Sequence, residues 1–195
     1  MVSSALDFGE IHNGTATLQQ VADTLSLGDL RRATESSVDA MLDLIVACAD
    51  ADVDFVALDP EATEGITNEH GETLGWTLGH VIVHTTATAE AAAFAALELA
   101  RGVPLKGVSR YETPWEEIKM IEQCRQRLRE SKRMRLATLE GWPDAPDLTN
   151  LYTPFPGAGP LNAKGLYVLG LEHDDTHQRH LAEVVRQSTV GRVQT

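Results

Sequence analysis

Cysteine is scarce in this chain: Cys48 and Cys124 are the only two in 195 residues. They form neither a CxxC pair nor a disulfide framework. Both fall in predicted helices among apolar neighbours, which reads as buried small residues in a reducing compartment. Long apolar runs are also missing. Leu42–Cys48 is far too short to cross a bilayer, so no membrane segment is expected. The opening MVSSALDFGE has neither a basic start nor an apolar stretch, so no secretory signal is expected and the cytoplasm is the default. Positive charge is in short supply, with 16 Lys and Arg against 29 Asp and Glu. The net charge of −13 repels a phosphate backbone and argues against nucleic-acid binding. One segment departs from that balance: Lys119, Arg125, Arg127, Arg129, Lys132, Arg133 and Arg135 face only Glu122 and Glu130. It reads as a solvated helix face, the sharper alternative being attraction for an anionic substrate or an acidic partner surface. Nothing resembles a parallel sheet, an internal repeat or low complexity.

Helical periodicity is what the chain does have, at a length that suggests one domain with a substantial core. Residues 1–25 read as a packed N-terminal extension, with a short helix over Thr15–Leu25. Ser26 and Asp29 have capping-box spacing and introduce a helix in which Leu30, Ala33, Val38, Met41, Leu42, Ile45 and Cys48 recur at three and four residues. Asp50–Leu74 is polar and acidic, a connection long enough to be functional. A second helix is predicted over Trp76–Arg101, its far half rich in alanine, and Gly102-Val103-Pro104 stops it. On its His84 side lie the mostly small residues Thr77, Val81, Thr88, Ala91 and Ala95, which suit either close helix packing or space for a substrate. Thr113-Pro114-Trp115-Glu116 reads as the start of a third helix running to about Leu139. A proline-rich loop over Gly141–Gly159 leads to a fourth helix that begins at Pro160 or Asn162 and ends near Gln187. Four long helices imply an all-α four-helix bundle over residues 26–190.

The fourth helix carries EHDDTHQRH, in which His173, His177 and His180 stand at i, i+4 and i+7 and so form one stripe. Leu166, Leu169 and Val184 share that stripe, which turns the histidines inward. His80 and His84 repeat the i, i+4 spacing in the second helix. Five imidazoles on two core-facing helices point to a metal site inside the bundle, because a neutral imidazole offers a nitrogen lone pair. A pair one turn apart plus a third from another helix leaves a coordination position open, as in catalytic sites. The HExxH pattern is absent, so a zinc-protease mechanism lacks its base in the usual place. His12 and His70 read as solvated loop residues. His80 is alternatively a core histidine, and His180 a residue that orients a ligand or a water.

GWTLGHVIVH, with Trp76 eight residues before His84, resembles the second-helix motif of the DinB-like superfamily of DNA-damage-inducible and YfiT-type proteins. EHDDTHQRH resembles that family's fourth-helix HxxxH. The likeness covers about residues 26–187. It implies an up-down-down-up four-helix bundle, a divalent metal (zinc or nickel) on His84, His173 and His177, and a homodimer. It departs from the family at His80, often a charged residue there, and at His180, often glutamine. Better-understood relatives are thiol-dependent S-transferases and isomerases. The expected function is therefore metal-dependent chemistry on a small-molecule thiol and an electrophile, with His180 or His80 as the catalytic proton carrier. The alternatives are a metal-dependent hydrolase, assisted by Asp174 or Asp175 only if they turn toward the site, and a non-catalytic, stress-associated metal-binding or dimerisation protein.

Overall fold

A computed structural model describes residues 6–57, 66–67 and 73–193. His70 and most of the polar connection after Ala57 lie outside those residues. Two short helices open the chain, α1 (Gly9–His12) and α2 (Leu18–Asp23). The helix α3 (Leu27–Leu44) follows, then the single turn α4 (Asp50–Val53) and a pair of two-residue antiparallel strands, β1 (Ile66–Thr67) and β2 (Thr73–Leu74). Three long helices complete the chain: α5 (Leu78–Ala100), α6 (Ile121–Glu140) and α7 (Ala163–Val193).

Local chemistry sets most of the helix starts. Ser26 and Asp29 cap α3 reciprocally, the Asp29 backbone N–H donating to Ser26 Oγ and the Ser26 N–H to Asp29 Oδ2 at 2.8 Å. Thr17 and Gln20 do the same for α2, and Asn162 Oδ1 accepts from the Gly165 N–H at the start of α7. The third long helix corrects the sequence reading. The Thr113-Pro114 signal yields only one 3-10 turn, Trp115–Glu117, after which Ile118 is extended and buried. Ile118 packs beside Gly79 of α5, and that tertiary contact wins over the local signal. The true start of α6 is capped from elsewhere: Gln123 Oε1 accepts from the N–H groups of Lys119 and Met120, and Asp50 Oδ1 from that of Ile121. Two smaller differences accompany it. The helix α3 ends at Leu44, so Cys48 lies beyond it, and α7 continues past Gln187.

Pairwise contacts fix the topology. Arg31–Glu140 and Lys132–Asp39 make α3 antiparallel to α6. Arg127 meets Thr86 and Glu90, and Gly141 meets Leu97, so α6 is parallel to α5. Trp76, just before α5, reaches His180, while Ala89 and Ala92 reach Gly170, so α7 is antiparallel to α5. The directions are up, down, down, up. Gly170 is what lets α5 and α7 come together there, since a Cβ on it would lie 3.1 Å from Ala92 Cβ and 3.2 Å from Ala89 Cα.

The interior is stratified. One apolar cluster gathers Leu30, Ala96, Leu99, Leu139, Leu166 and Tyr167, with Phe8 and Ala22 from the N-terminal segment. A second gathers Val38, Met41, Ile45, Trp76, Ile82, Leu128 and Leu181. Along every long helix a polar layer separates them: Thr34 and Ser37 on α3, His84 and Thr86 on α5, Ser131 and Arg135 on α6, Asp174 and His177 on α7. Arg135 Nη1 donates to Asp174 Oδ2 at 2.7 Å with both side chains essentially inaccessible to solvent. Ser37 donates to the same oxygen, and Thr34 shares a hydrogen bond with the Tyr167 hydroxyl.

The basic run of α6 is largely spent inside the molecule. Lys119 pairs with Asp54, Arg127 with Glu90, Lys132 with Asp39 and Arg135 with Asp174, while Arg125 donates to the carbonyls of Ile45, Val46 and Cys48. These bases join helices and connections; among the described residues, Arg129 and Arg133 pair within their own helix. The reading of a simple solvated face is therefore corrected.

Candidate metal centre

Half of the polar layer is a histidine cluster. His84 lies two turns into α5, and His173 and His177 stand one turn apart on the antiparallel α7. The crossing brings their rings to centroid separations of 5.1 Å (His84–His173), 4.8 Å (His84–His177) and 4.4 Å (His173–His177). One ring nitrogen from each lies within 4.8 Å of the other two, a group that could hold a metal ion. Trp76 sits at the centre of the wider set, stacked on His80 at 4.3 Å and edge-on to His84 at 5.0 Å. His80, 1% exposed, lies between Trp76 and Trp115. His180 is half-buried, with its Nδ1 3.2 Å from His177 Nδ1.

Burial controls the charge of these rings. Desolvation holds His80 down to about 4, His173 to about 3 and His177 to about 2, reinforced for His173 by His84 and for His177 by His173. All three are neutral at pH 7, the form that offers a lone pair. His173 Nδ1 is buried with no hydrogen-bond partner among the described residues, a polar atom whose burial costs free energy until something pairs with it. Imidazoles converging from facing helices, one with an unanswered nitrogen, are a donor set that could hold a metal ion.

The same burial makes the metal-free protein acid-sensitive. Unfolded, these histidines protonate near 6.5; folded, they stay neutral well below it. The unfolded state therefore binds more protons as pH falls below about 6.5, and stability that is complete above that pH is lost progressively beneath it, toward pH 4 and below. At about 1.4 kcal/mol per histidine per pH unit below 6.5, the loss for the three between pH 7 and pH 5 is expected to be on the order of 6 kcal/mol. Urea unfolding midpoints of the chelated protein at those two pH values measure it, and equal midpoints would refute it.

A second group adjoins the first. Glu112, in the segment between α5 and α6, places Oε2 3.6 Å from His84 Nδ1 and Oε1 3.9 Å from His80 Nε2. Burial works to raise the Glu112 carboxyl, but its hydrogen bond to His84 and the Arg110 charge outweigh that and hold it low. Arg110 pairs with Glu112 and also places Nη2 3.0 Å from His84 Nδ1. The two neighbours of that nitrogen select opposite tautomers, since guanidinium only donates and carboxylate only accepts. An ion on His84 Nε2 would put the proton on Nδ1 and make Glu112 the partner.

Beside the cluster a cavity of about 510 Å³ opens, with His173 and His177 in its lining and Ala91, Leu166, Leu169 and Phe155 among its apolar walls. The small residues of α5 thus do two jobs: Thr88 and Ala91 border the cavity, and Ala89 and Ala92 admit Gly170.

Four of the five motif histidines, His80, His84, His177 and His180, therefore meet around Trp76, and His173 joins through His84 and His177 to make the tightest trio. Asp174 turns away to Arg135, and Asp175 lies near His12 and Arg179 at the surface, so neither aspartate faces the trio. His12 is not a free loop residue; its Nε2 is 3.0 Å from Glu172, and Arg179 reaches its Nδ1. Sequence reading missed Glu112 and Arg110, which lie in an irregular segment with no periodicity; the one signal was their place just ahead of the Thr113-Pro114 turn.

The family model described as the DinB superfamily matches residues 10–181 of this chain. No curated protein and no solved structure matches it significantly.

Proposed function

Because this chain belongs to the DinB superfamily, and because three imidazoles converge beside a cavity, we propose that it is a metal-dependent enzyme joining a low-molecular-weight thiol to an electrophile. The convergence of His84 with His173 and His177, the latter two in the cavity lining, is the observation that carries this reading. Those three residues would hold a divalent cation, zinc or nickel. Bound there, the cation would supply the Lewis acidity that favours the thiolate form of a thiol at neutral pH.

The chain's own residues supply the rest. Glu112 would accept the His84 Nδ1 proton and so keep Nε2 turned inward. His180 bonds His177 and is better placed than His80 to carry a proton, because it is half-buried beside the trio. His80 is sandwiched between two indoles and held neutral by burial, which suits a packing role. Trp76, itself buried, packs against His80, His84, His177 and His180. Asp174, the candidate base for a hydrolase, is committed to Arg135, which lowers the hydrolytic reading. The cavity favours a ligand-handling role over a purely structural one. Cytoplasmic location and a homodimer complete the proposal.

Cobalt-substituted protein tests it. Adding a small thiol such as cysteine or dithiothreitol is expected to produce a sulfur-to-cobalt charge-transfer band in wild type and none in His177→Ala. A cobalt spectrum indifferent to thiol would reject thiol chemistry while leaving the metal site standing.

A further inference from the structure

The cavity beside the trio says more about what it admits than about the reaction. Its volume, about 510 Å³, suits a small organic molecule. Its walls are mainly apolar, with Ala91, Val108, Phe155, Leu166 and Leu169 prominent, so the body of an occupant is apolar. Among the lining residues there is a single Lys or Arg, Arg110. Three residues anchor that guanidinium: Nε donates to Thr88 Oγ1 at 2.9 Å, and Nη2 is held by Glu112 and by the carbonyl and Nδ1 of His84. No hydrogen bond involves its Nη1 among the described residues, and the side chain is 36% exposed. A cation steadied through Nε and Nη2 with Nη1 open can receive an acceptor, and a carboxylate oxygen makes a charge-assisted bond there.

The charge balance narrows the ligand further. Glu172 lines the same cavity, and its carboxylate is already engaged by His12 at 3.0 Å and by Thr176. Apart from its two histidines, the lining carries one positive and one negative side chain, Arg110 and Glu172, so a monoanion suits it better than a doubly charged phosphate.

We infer that this cavity binds small carboxylic acids with an apolar body, the carboxylate on Arg110 and the body along α5 and α7 toward His173 and His177. That such a molecule is the electrophile or thiol of the reaction rests on the function proposed above; its binding does not.

The test is calorimetric titration with octanoate and with octanamide, which share the body and differ in charge. Wild type, Arg110→Gln and the cavity-filling Ala91→Phe are compared, each with and without zinc and each checked for an unaltered far-ultraviolet spectrum and melting transition. Wild type is expected to bind octanoate at least about tenfold tighter than octanamide, one good charge-assisted contact. Arg110→Gln should erase that preference and leave octanamide affinity unchanged, while Ala91→Phe should weaken both. Equal binding of the two by wild type, no binding of either, or a preference that survives Arg110→Gln would overturn the inference. Failure of the metal reading shows separately: protein that takes up no zinc but still prefers octanoate through Arg110 keeps the carboxylate site and loses the metal chemistry.

Discussion

Replacing His173 or His177 by alanine is expected to strip the protein of bound divalent metal, lowering affinity by more than about 100-fold. That exceeds the 10- to 100-fold typical of removing an outer hydrogen-bond partner of a ligand, and the contrast gives the experiment its resolving power. Metal content by mass spectrometry, on protein purified without a histidine tag, should fall from about one ion per chain to near zero in His84→Ala, His173→Ala and His177→Ala. Glu112→Gln should retain the ion with affinity reduced by about 10- to 100-fold. His80→Ala should keep it, because His80 spends both ring faces on Trp76 and Trp115. Loss of metal in His80→Ala with retention in His84→Ala would redraw the ligand set around Glu112, to which both rings are close. The same variants give a thermal readout: wild type should melt higher with added zinc, as any ligand of the folded state requires, and the three alanine variants should not respond.

The second large effect concerns the other half of the polar layer. Asp174→Ala leaves the Arg135 guanidinium inside the bundle with no carboxylate to answer it. Breaking a buried ion pair in this way costs about 3–5 kcal/mol, which for a domain of this size lowers the melting temperature by roughly 10 °C. The double replacement Asp174→Leu with Arg135→Met removes both charges and should recover most of that loss, since well-packed apolar residues commonly match a buried pair in stability. Burial pushes the Asp174 carboxyl up while Arg135 and Ser37 draw it back, so the carboxylate depends on both partners. Thermal unfolding of metal-free wild type, single and double variants measures the effect. A single-variant cost under about 1 kcal/mol, the level of an exposed pair, would mean that water reaches the site.

The two halves of the layer differ in how far the sequence announces them. The histidines are legible because helical spacing is a local property: i, i+4 and i+7 on a stripe shared with Leu166 and Val184 already says which way they face. The cap at Ser26 is legible for the same reason, needing only a partner three residues on. Arg135 is illegible, because a base among six others looks like surface until Asp174, on another helix, is brought against it. Arg110 and Glu112 are illegible in the same way, in a segment placed over the site by tertiary contacts. The Pro114 signal shows the converse error, a strong local start signal overruled when Ile118 is needed against Gly79. The fold class and topology were thus within reach of pattern and resemblance, while the neighbours that tune the cluster were not.

The placement of the trio on the second and fourth bundle helices has a mechanical consequence. His84 and His173 stand about 90 residues apart in sequence, with both intervening connections and all of α6 between them. An ion tying them together would be a reversible staple that closes a large loop, and a staple acts mainly by denying the unfolded chain its freedom. A covalent tie across a loop of that length is worth roughly 4–5 kcal/mol in chain entropy. Metal supply would then govern how long each molecule lasts before a protease finds it open, as well as what chemistry it performs.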